Sequence, residues 1–339
     1  MNKTFILGKR GQTVDFDVKK LGLIVIGENI NTTRNFRANG PRVVIESGKP
    51  FVTYGFDKKG RLDISRTYPK DEADVPTGKI PHVAEAVGQK DIGYIRWLIE
   101  SQLSTGAHII DLCVDAMSTE PEERHEWMRW IVKLAQEISP ETSFSIDSSD
   151  SDTIVAGIEA YDTSKSRPAI NSINLEEGRS ALIPIAKNNN AILFANASGR
   201  DGMPQDDEER VNNLVVLMDM MDKASIPMED RYLDPLVFPI GAGPKYGKDY
   251  VLAVKTLRTM YPDVKIFGGH SNVSFGLPKR KILNDSFVTM SIIAGCDSVM
   301  IDPVMNPPQK FIEFRFAAEA LLAQDEYATR YLKFIRSQS

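Results

Sequence analysis

The sequence predicts an α/β fold: a single (β/α)8 TIM barrel with a β-hairpin insertion after its first strand. Two patterns support that class. About eight short β-branched runs alternate with longer amphipathic segments, the order of a parallel sheet whose strands are joined by helices. Most of these runs also end in, or carry near their ends, Asp, Asn or Glu, at the sheet end where α/β folds gather their chemistry. No GxGxxG follows the first apolar run, so the phosphate fingerprint of a doubly wound dinucleotide fold is missing.

The strands are expected at LGLIVIG (21–27), AHIIDLCV (107–114), TSFSID (142–147), PAINSI (168–173), NAILFAN (190–196), YLDPLVFPI (232–240), VKIFGG (264–269) and DSVMID (297–302). Between them lie helical patterns such as IGYIRWLIESQLSTGA, the spacing within 122–138, and RVNNLVVLMDMMDKA. A long last helix, 308–336, is expected to close the repeat. Residues 35–82 break the rhythm. RVVIESGKPFVTYGFDKKGRLDIS reads as a β-hairpin with its turn near Asp57–Gly60, followed by loop. One domain, 1–339, is therefore expected, with 35–82 an insertion that serves as a lid, a partner-docking element or a surface decoration.

Composition narrows the setting. Lys and Arg total 41 against 46 Asp and Glu, a net charge of −5, which argues against nucleic acid as the main ligand. No apolar run approaches the roughly 20 residues needed to span a bilayer, and MNKTFILGKRGQT is too short in apolar residues for a secretory leader. The two cysteines, Cys113 and Cys296, form neither a disulfide framework nor a CxxC metal site. A cytoplasmic location is expected.

The polar residues fall in a pattern. The first strand ends in Glu28, Asn29 and Asn31, and the second carries Asp111 and Asp115. The third ends in Asp147, the fourth in Asn171 and Asn174, and the fifth in Asn196. Asp234, Asn272 and Asp302 complete the series. The set is carboxylates and carboxamides, nearly without cations. A carboxylate only accepts hydrogen bonds and an amide does both, which suits a neutral heterocycle with an N–H/NH₂ edge beside a carbonyl. A phosphorylated ligand would call for cations or a glycine nest. A magnesium or calcium ion on Asp111, Asp147 and Asp234 is the rival reading. Simpler roles apply to some residues: Asp150 and Ser151 look like helix caps, Asp302 holds a turn before Pro303, and His270 packs or hydrogen-bonds. Asp111 and Asp234 lie inside apolar runs, where an idle carboxylate is costly.

IGENIN (26–31), DLCVD (111–115), SIDSSD (145–150), AINSIN (169–174), DPLV (234–237) and SNVSFGLP (271–278), in that order, resemble the pterin-binding methyltransferases. That family includes methyltetrahydrofolate:corrinoid protein methyltransferases and is similar to the folate domain of cobalamin-dependent methionine synthase. The resemblance covers about 22–34 and 85–335 and implies a dihydropteroate-synthase-like pterin-binding barrel. It implies that Asp111, Asp147, Asn171 and Asp234 hold the pyrimidine side of a pterin and that Asn272 meets N5, the nitrogen that carries the methyl group. Asn31 matches the Asn of the family's opening motif, and Asn196 joins the expected pterin-binding set.

The activity implied is methyl transfer between a corrinoid protein and tetrahydrofolate, from methylcorrinoid to tetrahydrofolate, giving 5-methyltetrahydrofolate. Demethylation of methyl ethers or methylated amines is the family context. The Asp-x-His-x-x-Gly signature of a cobalamin domain is absent, so cobalamin is expected on a separate corrinoid protein, with no metal bound by this chain. A homodimer is implied. Phe275-Gly276-Leu277-Pro278 stands where iron–sulfur-partnered members carry a polar run, which leaves the identity of the partner open. A dihydropteroate synthase-like condensing enzyme remains an alternative, although its Ser-Arg-Lys is here Ser271-Asn272-Val273. A non-catalytic folate-binding subunit is the other.

Overall fold

A computed structural model describes residues 4–7, 12–15 and 21–337. The chain opens with a short antiparallel pair, β1 (Thr4–Leu7) and β2 (Gln12–Asp15). The first long strand, β3 (Ile24–Asn31), runs past its apolar stretch to include Glu28, Asn29 and Asn31. Next come β4 (Phe36–Arg37), β5 (Val43–Glu46), β6 (Lys49–Tyr54), β7 (Gly60–Asp63), β8 (Lys79–Ile80), α1 (His82–Gly88) and α2 (Ile92–Ser104). Strand and helix then alternate: β9 (Ile109–Cys113), α3 (Pro121–Ile138), β10 (Ser143–Asp147), α4 (Ser151–Ala160), β11 (Ala169–Ile173), α5 (Leu182–Asn188) and β12 (Ile192–Asn196). The alternation continues through α6 (Asp207–Lys223), β13 (Arg231–Asp234), α7 (Tyr246–Met260), β14 (Lys265–Ile266), α8 (Arg280–Ala294), β15 (Ser298–Ile301), α9 (Gln309–Leu321) and α10 (Thr329–Ser337).

β3 and β9 to β15 form one eight-stranded sheet in the order β14-β13-β12-β11-β10-β9-β3-β15. β15 pairs parallel with β3, Ser298 opposite Ile24 through Ile301 opposite Gly27. A further parallel bridge joins Gly269 to Met300, so the last strand meets the segment after β14 as well as β3. The predicted α/β alternation thus closes on itself.

The described residues pack as two compact units. One comprises residues 28–101 and 110–171. Its helices lie close to β10 because of Gly157: a Cβ there would come within 2.6 Å of Ile146 and 2.8 Å of Met128. The excursion after β3 belongs to this unit. It enters and leaves through a stem in which β4 pairs with β8. It is a three-stranded meander rather than the expected single hairpin. The turn joining β6 to β7 lies at Gly55–Lys59, as the sequence suggested, but β5 adds a second hairpin through Ser47 and Gly48, both at positive φ (50° and 78°). That is the backbone a tight two-residue hairpin needs. The meander is anchored by Tyr54, whose hydroxyl donates to Asp91 at 3.2 Å, and by Arg42, stacked over Trp97 at 4.8 Å.

The other unit holds the rest of the described chain. Its core joins Leu23, just before β3, and Val25, Val299 and Ile301 of the sheet to Val288, Ile292, Phe311, Ile312, Phe316 and Phe334 of the last helices. The sequence suggested one helix over 308–336; the structure has two. Ala323, Tyr327 and Ala328 take positive φ, and the Asp325 carboxylate accepts the Arg330 and Tyr331 N–H groups at 2.9 Å each. This caps α10 and folds it back, so that Phe334 stacks on Phe316 at 4.6 Å. The expected strand 232–240 is likewise cut short at Asp234. Pro235 has no N–H for the ladder, and Leu236 turns the chain at φ 67°. Among the described residues no helix is long and apolar enough to cross a membrane.

Candidate active site

In the unit of residues 28–101 and 110–171, three of the expected residues come together. β10 and β11 pair in parallel with Asp147 opposite Asn171. The Asn171 amide donates to Asp111 Oδ1 at 3.1 Å. Asp111 is 3% exposed, and burial pushes its carboxyl up to about 6 against the pull of its hydrogen bonds. Asp147 is raised well above the usual carboxylate range, first by burial and then by the charge of Asp111. Two buried carboxyls that raise each other in this way resist ionising together. With Asn171 they offer a carboxyl O–H when protonated, carboxylate oxygens and an amide, groups able to pair with both hydrogen-bond donors and acceptors.

Three further residues of this unit have local work. The Asn31 side-chain oxygen accepts from Thr33 N at 2.9 Å and Thr33 Oγ1 at 2.6 Å, shaping the turn after β3. Asp115 accepts from Ser148 Oγ (2.6 Å), Ser149 N (2.8 Å) and Ser149 Oγ (2.7 Å), tying the loop after β9 to the loop after β10. Asp150 caps α4, accepting from Thr153 N at 3.0 Å.

In the other unit, Asn196 and Asp234 lie opposite each other at the ends of β12 and β13. Both ends of the Asn196 amide are engaged: it donates to Ser172 Oγ at 2.6 Å and accepts from Ser198 N at 3.0 Å. Asp234 accepts from Leu236 N at 2.8 Å. Burial pushes its carboxyl up to about 7, countered by that N–H and by the positive charge of Arg210. Sequence reasoning missed Arg210, which lies on α6 with no exposed surface. Its guanidinium sits over the Phe238 ring at 4.8 Å and donates to the Asp206 carbonyl at 2.8 Å. The available signal was a cation on the apolar stripe of a helix whose buried residues include Val211, Leu214, Leu217, Met218 and Met221, a place where arginine is rarely idle.

Asn272 sits on a single 3-10 turn, His270–Ser274, just after the Gly268-Gly269 pair. The turn is held from within by Asn272 N to Gly269 O (3.0 Å) and from outside by Ile240 N to Val273 O (3.0 Å). His270 anchors it: the ring is fully buried, packed between Tyr250 and Phe287 at 5.9 and 5.8 Å, and burial lowers it to about 4. The imidazole is therefore neutral at physiological pH, which fits a packing role. Asn272 itself is exposed, and its carboxamide has no hydrogen-bond partner among the described residues. Gly269 makes room for it, since a Cβ there would lie 3.1 Å from Asn272 Nδ2. After β15, Asp302 holds a turn by accepting from Val304 N and Met305 N at 3.0 and 3.1 Å.

No group of three or more His, Cys, Asp or Glu among the described residues is arranged to hold a metal ion. A model of the family described as pterin binding enzyme matches residues 89–302. Methylcorrinoid:tetrahydrofolate methyltransferase of Eubacterium limosum is 30% identical over 262 residues, 76% of this chain and 93% of that protein. Methionine synthase of Mycobacterium tuberculosis (strain ATCC 25618 / H37Rv) is 27% identical over 219 residues, 60% of this chain but 18% of its own length. Among solved structures, the Yersinia pestis DHPS bound to a pterine-sulfa conjugate matches with a TM-score of 0.55 and 15% identity, covering 93% of this chain and 98% of that one. Dihydropteroate synthase of Stenotrophomonas maltophilia gives 0.55 and 15%, covering 88% and 93%. At that identity the structural likeness speaks for the fold, the (β/α)8 barrel.

Proposed function

We propose that this chain, which belongs to the pterin-binding enzyme family, is a methyltransferase that moves a methyl group between a separate corrinoid protein and N5 of tetrahydrofolate. The likeness to the Eubacterium limosum methyltransferase over 93% of its length supports the reaction class. The observation that carries the reading within this molecule is Asn272: a hydrogen-bonded 3-10 turn holds it exposed, with its carboxamide unengaged. The forward direction is from methylcorrinoid to tetrahydrofolate.

The roles follow from the donor set. Asp234, in the unit that also carries Asn272, accepts from the amino and ring N–H groups of the pterin; the Asp111–Asp147 pair and Asn171, within their own unit, offer the donor and acceptor set that a pyrimidine edge pairs with. The reaction asks little covalent work of the protein, which must fix N5 where the methyl carbon is presented. The N5 lone pair forms the new bond to the methyl carbon while the cobalt–carbon bond breaks, both electrons staying with cobalt. The amine gains positive charge and then gives up its proton to solvent. The Asn272 amide oxygen accepts a hydrogen bond from the N5 proton. That bond strengthens as N5 becomes cationic, so it favours the transition state over the ground state.

Asn272→Ala tests this directly. Turnover with tetrahydrofolate and methylcobalamin should fall about 10²-fold, in the range of one lost transition-state hydrogen bond, while tetrahydrofolate affinity changes much less. Unchanged turnover removes Asn272 from the mechanism.

A further inference from the structure

The start of α8 departs from the usual rules of a helix N-terminus. Lys279, Arg280 and Lys281 place cations where the helix dipole disfavours them. The first turn carries no acidic residue, and Lys279 sits at φ 52° with no side-chain cap. Such local conflicts tend to mark places where sequence serves function rather than stability. The Arg280 contacts indicate what it serves. Its Nε donates to Ser274 Oγ at 2.9 Å, and its Nη2 donates to the Ser271 carbonyl at 2.7 Å. Ser274, fully buried, donates in turn to Asn284 Oδ1 at 2.6 Å. One guanidinium edge thus bridges the two residues that flank Asn272 and Val273, and Asn284 ties Ser274 to the second turn of the same helix.

Asn272 has no side-chain partner of its own among the described residues, so its direction is set by the turn alone. We propose that Arg280 is the positioning residue for Asn272, acting through Ser274 and the Ser271 carbonyl without touching substrate. The inference rests on the role given to Asn272 above. It also accounts for arginine at this position. Two N–H groups at fixed spacing are needed to bridge the turn, and a lysine offers a single mobile charge.

A double-mutant cycle on the full-length protein tests it, with methylcobalamin and tetrahydrofolate as the reactants. Arg280→Gln should lower kcat about 10-fold or more while the tetrahydrofolate Kd stays within about 3-fold, and Arg280→Lys should restore little of the loss. In the Asn272→Ala background the same Arg280 substitution should have no further effect, because coupled residues are not additive. Losses that simply multiply, or a Kd loss as large as the kcat loss, overturn the proposal. If Arg280→Gln fails to fold, Ser274→Ala takes its place in the cycle, with the same two outcomes. An unchanged Asn272→Ala would sink the assignment of Asn272 itself; a large Asn272 effect with a silent Arg280 would sink only the positioning role.

Discussion

At Asp234, burial and binding pull in opposite directions. Its carboxyl is raised from 3.8 to about 7, chiefly by burial, so the folded state holds this proton more tightly than the unfolded chain does. The contribution to stability is full below about pH 4 and is lost as pH rises through about 7. Asp234→Asn should therefore stabilise the unliganded protein at pH 8, by up to about 4 kcal/mol, while leaving stability near pH 4 little changed. Thermal unfolding at the two pH values reads this out. Binding should show the converse. A pterin that donates N–H groups to Asp234 favours the ionised form, so tetrahydrofolate affinity should rise with pH through about 7 and release a proton below it. Calorimetry in buffers of different protonation enthalpy should see that proton vanish in Asp234→Asn. At this scale the strand-end pattern pointed to Asp111, Asp147 and Asn171, which the structure gathers. It could not show that Asn196 has both amide ends engaged. Nor did that pattern reveal Arg210, whose signal lies on the apolar stripe of α6 and not at a strand end.

Among the elements, the turn before α8 and the break before α10 give separable expectations. Gly269→Ala would put a methyl 3.1 Å from Asn272 Nδ2, so it should lower turnover without comparable loss of tetrahydrofolate affinity, measured side by side with the wild type. Asp325→Ala removes the acceptor for two N–H groups at the start of α10. It should cost about 1 kcal/mol, as a lost helix cap does, and speed amide exchange in 329–337 ahead of the rest. These are also the places where the sequence was hard to read. The amphipathic pattern runs from 308 to 336 without a proline stop after Pro308, and only the buried Asp325 and the Phe316–Phe334 contact turn it into two helices. The meander was half legible: the turn before Gly60 has a strong local signal, whereas Ser47-Gly48 does not stand out from a loop until β5 has a partner.

For the molecule as a whole, the alternation of strands and helices was legible because each period carries its own hydrophobic rhythm. The parallel order and the Gly269–Met300 bridge follow from that repetition. What the rhythm does not contain is the packing of the excursion, which depends on contacts such as Tyr54 with Asp91 and Arg42 with Trp97. Chemistry, in turn, rests on single residues at strand ends more than on the fold, which also serves the dihydropteroate synthases it resembles. The most direct test is to mix the protein with tetrahydrofolate and methylcobalamin and follow the cobalt spectrum while assaying 5-methyltetrahydrofolate. Methyl transfer predicts loss of the methyl–cobalt bands with matching formation of 5-methyltetrahydrofolate, both strongly reduced in Asn272→Ala. Tight tetrahydrofolate binding with no cobalt demethylation, from free methylcobalamin or any methylcorrinoid protein, would contradict it.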